Sequence, residues 1–312
     1  MTARSRLWCS LLAWPTGLFL VVARMEIDDL TLPVFAALDL AYVGGLLVLL
    51  RAWDARGERR AAVLVATGPG LFALVGFAGP PTADEPGLMM LNTAVLLVVA
   101  LTLQVVAIQI VLDHRASPHI PAVVPALLFF GIGTTVYLAN LLARVAVVLA
   151  GAADQQAAVE DRAWVAFEYL RGLDGAPGHL SYLLVWFDLL QLGYVATAYV
   201  AFGAIVRLLL REDGVSPRVG VPLSRAAYAL AAILVLGVAA AVALPRELDL
   251  VPAWAAFVTS IPFMTTLVPF GLGLAMLSSR AASRPSARAG GSRGRATTQA
   301  IPSTGDSPPS LA

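Results

Sequence analysis

The sequence predicts an all-α integral membrane protein with eight transmembrane helices. Of its 312 residues, 59% are hydrophobic and only 13% are charged, whereas a soluble domain averages about half apolar and about a quarter charged. Apolar runs near or above the roughly 20 residues that cross a bilayer recur along the chain. The loops between these runs alternate between those in which Arg residues equal or outnumber the acidic residues and those in which the acidic residues outnumber Arg. Together these observations predict a polytopic transmembrane domain over residues 1–277.

The apolar runs define eight predicted spans. The first follows Arg4 and Arg6, as a signal peptide would, but ends at Arg24-Met25-Glu26 instead of a small-residue cleavage motif. We therefore expect it to be retained as a helix. The third contains Gly68-Pro69-Gly70, and Pro125 lies inside the fifth, where a membrane helix can be kinked without ending. The predicted spans are 7–23, 30–50, 61–79, 88–112, 121–150, 180–210, 225–244 and 254–277.

The charges of the loops predict the orientation. Arg residues lie at the N-terminus, in 51–60, 113–119 and 211–225, and in the tail from Arg280. The alternate loops, 24–29, 80–87, 151–179 and 245–250, are acidic or neutral. Because Arg-rich loops stay in the cytoplasm, both termini are predicted to be cytoplasmic. All 21 basic residues are Arg, which with abundant Ala and Gly suggests a GC-rich genome. We expect the protein in a cell membrane, the plasma membrane of a bacterium.

Two segments outside the spans have their own patterns. The outer loop 151–179 is long for a hairpin, and 154–171 carries Trp164, Phe167 and Leu170 at helical spacing. This pattern predicts an interfacial helix that either covers the outer mouth as a lid or merely packs there. Residues 278–312 are rich in Ser, Arg, Gly and Pro, and are predicted to form a disordered cytoplasmic tail.

A short internal sequence similarity suggests an arrangement of the spans. Leu38-Asp39-Leu40 in the second span resembles Phe187-Asp188-Leu189 in the sixth. This similarity fits two parallel four-helix halves, in which the first span is equivalent to the fifth and the second span to the sixth. Chance also produces such matches in a chain rich in Ala and Leu.

Three charged residues fall inside predicted spans at one level. Counted from the outer boundary, Asp39 lies roughly 13 Å deep, Asp188 roughly 12 Å and Arg144 roughly 10 Å. Polar residues share helix faces with them, at spacings of three or four. The sequence therefore predicts an outward-facing polar chamber, in which Asp39 and Asp188 are the proton-carrying candidates and the ligand-binding candidates are Arg144, Asn140, Tyr137, Gln191, Asn92 and Tyr42.

The same residues also allow a structural interpretation. Arg144 and Asp188 could form a buried ion pair that holds the bundle together with help from the amides. The predicted chamber contains two carboxylates, Asp39 and Asp188, but one Arg, which favours the functional interpretation instead. One Asp would lack a counter-charge, and low dielectric would favour its neutral form, so that it could take up and release a proton.

Three functions follow from these interpretations. The first is proton-coupled transport of a small polar or anionic solute, with Arg144 binding the anionic group and Asp188 or Asp39 carrying the proton. The second is an intramembrane enzyme of cyclase or isomerase type, acting on a lipid or isoprenoid with a protonated Asp as general acid. The cation that develops on the substrate would be stabilised by an aromatic wall formed by Tyr42, Tyr137, Trp186 and Tyr194. The third is a non-catalytic membrane subunit.

Several chemistries are not expected. The chain has no Lys, which excludes Schiff-base enzymes, and its single cysteine, Cys9, excludes a cysteine metal cage. The three His lie in loops or at span ends, which argues against haem or a histidine metal site. We therefore predict no cofactor and no metal. Membrane lipids and a small-molecule or lipid-like substrate are the expected partners, nucleic acid is not, and no protein partner is indicated.

Overall fold

The computed structural model describes residues 41, 59–68, 71, 86–149, 178–243 and 261–283. Nearly all of these residues are helical, which confirms the predicted all-α fold class for this part of the chain. We number the helices as α1 (59–68), α2 (Pro86–Asp113), α3 (Ile120–Leu149), α4 (Gly178–Arg211), α5 (Pro217–Ala243) and α6 (Ile261–Ser283).

Four of the helices are long and apolar enough to cross a membrane, which supports the predicted membrane character. The candidate spans lie in α2, α3, α4 and α5, at Thr93–Asp113, Ile120–Ala143, Leu189–Arg211 and Pro217–Ala239. A helix satisfies its backbone polar groups internally, as a segment inside hydrocarbon must. The predicted spans 7–23 and 30–50, the loop helix 154–171 and the tail beyond 283 lie outside the described residues, Ala41 apart. The eight-helix count and the orientation therefore stay predictions.

The turn between α4 and α5 is tighter than the sequence suggests. Helix α5 begins at Pro217, about two turns before the predicted span at 225. Pro suits the first turn of a helix because the missing N–H would have no partner there. The Ser216 carbonyl accepts from the amides of Val219 and Gly220, and Asp213 adopts a φ of 53° in the turn before it. The apolar pattern therefore missed about the first two turns of α5.

Helix α4 is the centre of the described bundle. It packs along its length against α3 and α5, and also contacts α2 and α6. The most apolar part of its span is 67% buried inside the protein, against 39% for α2 and 28% each for α3 and α5. The largest of the fully buried side chains are aromatic, and most of them lie on α4: Tyr194, Tyr199 and Phe202, with Phe130 and Tyr137 on α3.

Glycines allow α3 and α5 to approach α4 closely. A Cβ at Gly133 of α3 would overlap the Thr197 hydroxyl and lie 3.5 Å from the Tyr194 Cα on α4. A Cβ at Gly203 of α4 would lie 3.2 Å from the Ala227 Cβ on α5. Small residues at such contacts favour association in a bilayer, where van der Waals packing must replace the hydrophobic driving force.

Polar contacts gather several helix ends at one end of the bundle. Arg60 pairs with Asp113, the last residue of α2. The loop between α2 and α3 is tied to the end of α4, because Ser117 donates to Glu212 over 2.5 Å and Arg211 Nη1 donates to His119 Nδ1 over 3.0 Å. Around the same turn, the Ser216 amide donates to the Ser279 hydroxyl on α6 over 3.0 Å. We call this end, which also carries Arg115 and Arg218, the Arg-rich end.

The approach at Gly133 gives the first testable prediction. Gly133→Ala places a methyl group against Thr197, so α3 and α4 must separate or repack. We expect the variant to lose about 1–3 kcal/mol of stability, measured as a lower thermal unfolding midpoint in detergent.

Gly193→Ala is the matched control. A Cβ at Gly193 meets nothing within 4 Å, and replacing a helical Gly by Ala gains up to about 1 kcal/mol. Its midpoint should be unchanged or higher, and Thr197→Ala should restore much of the stability lost in Gly133→Ala. Equal midpoints for the two glycine variants would contradict the close approach.

Candidate functional site

A band of polar side chains is buried where α3 meets α4. Its members are Tyr137 and Asn140 on α3 and Gln191 and Tyr194 on α4, which we call the polar band. Tyr137 and Tyr194 are 0% exposed, Asn140 1% and Gln191 8%. All four lie within the candidate membrane spans. Buried polar groups in a membrane-length helix are costly unless they are satisfied or used, so the band is the candidate site.

The helical period places these residues on the contact. Tyr137 and Asn140 follow Gly133 at steps of four and three, so all three share the face of α3 that approaches α4. Gln191 and Tyr194 are separated by three residues on α4 and are both buried. The close approach at Gly133 therefore brings the two polar faces together.

Asn140 links the two helices directly. Its Nδ2 donates to the backbone carbonyl of Phe187 on α4 over 2.9 Å. Interhelical hydrogen bonds of this kind contribute roughly 1 kcal/mol in membrane proteins. The bond also sets Asn140 opposite Phe187, which fixes the register of the antiparallel pair.

The two tyrosine rings of the band are stacked. The centroids of Tyr137 and Tyr194 lie 4.5 Å apart with an interplanar angle of 13°. Phe130 continues the aromatic cluster towards the Arg-rich end, 5.9 Å from Tyr194 and 5.8 Å from Phe202. These rings fill the centre of the contact and hold the tyrosine hydroxyls in fixed places.

The Tyr194 hydroxyl is buried and makes no hydrogen bond to any residue that the structure describes. A buried donor without a partner costs about 1–3 kcal/mol. Such groups are rare in native proteins, and each one asks for an explanation such as a ligand or a role in function. This hydroxyl is the feature of the polar band that packing alone does not account for.

Two of the predicted charged residues lie on the same helices, and the structure describes their backbone positions. Arg144 is one turn beyond Asn140 on α3, and Asp188 follows Phe187 on α4. With Asn140 opposite Phe187, the two backbone positions are separated by roughly 8 Å along the helix axis. Their side chains lie outside the part of the structure that is described, as does that of Asn92 on α2, and Asp39 and Tyr42 lie outside the described residues altogether.

The structure thus brings together part of the predicted site. The fifth and sixth predicted spans, now α3 and α4, are neighbours, as the site requires. Tyr137, Asn140 and Gln191 are all buried at or beside their contact. Trp186, which the enzyme hypothesis placed in an aromatic wall, is 61% exposed, so it does not line the band with Tyr137 and Tyr194. The chamber as a whole stays a prediction.

The positions of two residues were not predicted from the sequence. Tyr194 appeared only in the aromatic wall, although its spacing of three from Gln191 places it on the same helix face. Thr134 did not appear at all, yet its hydroxyl lies 3.1 Å from Gln104 Oε1 on α2 and 2.9 Å from the Phe130 carbonyl, and can donate to either. No local pattern indicates a partner 30 residues away, so only the fold could show this contact.

A groove lies away from the polar band. It has a volume of about 530 Å³, is open to the outside, and runs between α2 and α3 past Gln104, Gly131 and Thr135. Its other lining residues are apolar, and two of them, Leu128 and Ile132, are more than half exposed. Within the part of the chain that the structure describes, this groove opens away from the contact between α3 and α4, so it does not extend the site there.

The Asn140 hydrogen bond yields a second prediction. Asn140→Ala removes the donor to the Phe187 carbonyl and leaves a space in the contact. We expect a loss of about 1–3 kcal/mol, seen as a lower unfolding midpoint. Thr135→Ala serves as the control, because Thr135 is exposed and, among the described residues, its hydroxyl donates to the Gly131 carbonyl of its own helix. A similar change in both variants would argue against an interhelical role for Asn140.

Comparison of the chain with models of protein families, with curated proteins and with solved structures found no match. The function proposed for the chain therefore rests on the chemistry and placement of its own side chains.

Proposed function

We propose that this chain is a multi-pass membrane protein that moves a small polar or anionic solute coupled to a proton. The observation that supports the proposal best is the polar band, above all the buried Tyr194 hydroxyl that has no partner among the described residues. A hydroxyl held without a partner inside a membrane-length helix is the kind of group that a polar ligand would satisfy.

The chemistry of the surrounding residues suggests a division of roles. Arg144 would bind the anionic group, since a guanidinium offers a rigid fork of donors to a carboxylate or phosphate. Asp188 or Asp39 would carry the proton, because an uncompensated carboxylate in low dielectric exchanges one readily. Tyr137, Asn140 and Gln191 would orient the solute, together with Asn92 and Tyr42 if their helices adjoin the band.

We further propose eight spans with both termini in the cytoplasm of a bacterial cell and the Arg-rich end on the cytoplasmic side. The contacts from Arg60 to Asp113 and from Arg211 to His119 support this orientation, because they join three Arg-bearing segments at one end. In that orientation Asn140 lies about nine residues, or roughly 13 Å, from the outer end of α3.

A second candidate is a non-catalytic membrane subunit in which the band is structural. The Asn140 hydrogen bond and the close approach at Gly133 favour it, since both are typical of helix association in bilayers. The two candidates assign different roles to the charges of Arg144 and Asp188. In a structural pair, removing one charge leaves the other buried and uncompensated, whereas removing both restores stability.

The transport proposal is tested in liposomes that contain the purified protein and a pH-sensitive dye. Gradients of lactate and phosphate are applied in turn, and we expect at least one to drive a proton flux above that in protein-free liposomes. Asp188→Asn and Arg144→Gln should reduce that flux at least tenfold, about 1.4 kcal/mol, while folding normally. Asp188→Glu should retain more of it than Asp188→Asn.

The unfolding midpoints of the same variants distinguish the structural candidate. If Asp188→Asn and Arg144→Gln each lower the midpoint strongly and the double variant recovers it, the charges form a structural pair. That result, or the absence of flux with every anion in the wild-type protein, would count against transport.

Tyr194→Phe provides an independent prediction. The substitution removes the unpartnered hydroxyl and keeps the ring stacked on Tyr137. We expect the unfolding midpoint to stay the same or rise by the equivalent of about 1 kcal/mol, while the flux falls. Tyr228 is a half-buried residue on α5, away from the polar band, so Tyr228→Phe should leave the flux unchanged. Unchanged flux in Tyr194→Phe would remove this hydroxyl from the site.

A further inference from the structure

Arg207 is an exposed cation within a membrane-length helix. It lies in the candidate span Leu189–Arg211, four residues before its end, and so roughly 6 Å from the Arg-rich end of α4. Its side chain is exposed, and no carboxylate of the described residues pairs with it. A cation at the edge of the hydrocarbon region is costly without an anionic partner, so something outside the described residues is expected to neutralise it.

Tyr228 holds the Arg207 guanidinium in place. The Arg207 Cζ lies 4.5 Å from the centroid of the Tyr228 ring on α5. The ring itself is fixed, because Gly203 lets it lie against the backbone of α4 and the Ser224 hydroxyl donates to the Gly203 carbonyl over 3.1 Å. A guanidinium stacked on a ring keeps its N–H edge available for an oxyanion. Arg207 is therefore oriented in advance for an anion.

Two more exposed cations lie near this seam. Arg211 is one turn from Arg207 on the same face of α4, and Arg225 is one turn from Tyr228 on α5; both are exposed. Arg211 also donates to His119. The nearby acids, Glu212 and Asp213, lie beyond the end of α4, where Glu212 already accepts from Ser117. The seam itself therefore carries a local excess of positive charge.

We propose that this seam between α4 and α5 binds the phosphate of an anionic phospholipid. Arg207, oriented by Tyr228, contacts the phosphate, and Arg211 and Arg225 add positive charge around the headgroup. The position argues for a lipid, because the cations are exposed at the end of a membrane span, where lipid phosphates are the abundant anions. Val235, exposed on the same flank of α5 as Tyr228 and two turns further into the span, would contact the acyl chains. This inference is independent of the transport proposal.

The test uses the full-length protein in detergent and follows its unfolding midpoint during titration with phosphatidylglycerol or phosphatidylcholine. We expect phosphatidylglycerol to raise the midpoint at concentrations about tenfold lower than phosphatidylcholine. Arg207→Gln should weaken the phosphatidylglycerol effect by about tenfold, as expected for the loss of a charge-assisted contact. Arg225→Gln should weaken it less.

Matched variants separate a built site from general charge attraction. Tyr228→Leu should weaken the lipid effect as Arg207→Gln does, whereas Tyr228→Phe, which keeps the ring, should not. Arg115→Gln removes the same charge from an exposed loop at the same end, and should leave the lipid effect unchanged. Midpoints measured without lipid show whether each variant folds.

Three results would overturn the proposal. Equal weakening by Arg207→Gln and Arg115→Gln would mean that only net charge matters. An unchanged lipid effect in Tyr228→Leu would mean that the ring does not position Arg207. A midpoint shift with 10 mM inorganic phosphate alone that matches the shift with phosphatidylglycerol would assign the site to a soluble anion.

Discussion

The close approach of α3 to α4 is the constraint on which the rest of the described structure depends. Lipid tails are as apolar as the helix surfaces, so two helices stay together only through good packing and polar contacts. With no side chain at Gly133, α3 can lie against the backbone of α4 near Tyr194 and Thr197. At that distance Asn140 reaches the Phe187 carbonyl and the rings of Tyr137 and Tyr194 stack. A larger residue at Gly133 would disturb all of these contacts together.

The bounds of α2, α3 and α4 were predictable from the sequence, because hydropathy responds to the thickness of the hydrocarbon layer. For this reason the predicted spans lie near the observed positions of these helices. Hydropathy placed the start of α5 too late, because the first turns from Pro217 carry Arg218 and Arg225 and do not look apolar. The helix begins where the Ser216 carbonyl accepts its first backbone hydrogen bonds, which hydropathy does not detect.

The candidate site was only partly predictable. Helical spacing correctly put Tyr137 and Asn140 on one face of α3, because that inference needs only the period of a helix. The stack of Tyr137 on Tyr194 joins residues 57 positions apart and depends on the register between helices, which no local pattern contains. Trp186 was grouped with Tyr194 although eight residues turn a helix by about 80° beyond two full turns. That angle places Trp186 on the exposed side of α4.

The polar contacts between α3 and α4 also have a mechanical consequence. The pair is joined at two levels, by Arg211 and His119 at the Arg-rich end and by Asn140 and Phe187 farther along. His119 and Asn140 are 21 residues apart on the chain and so roughly 30 Å apart along α3. Rocking of α3 against α4 would break at least one of these links. The two helices are therefore expected to move as one rigid body.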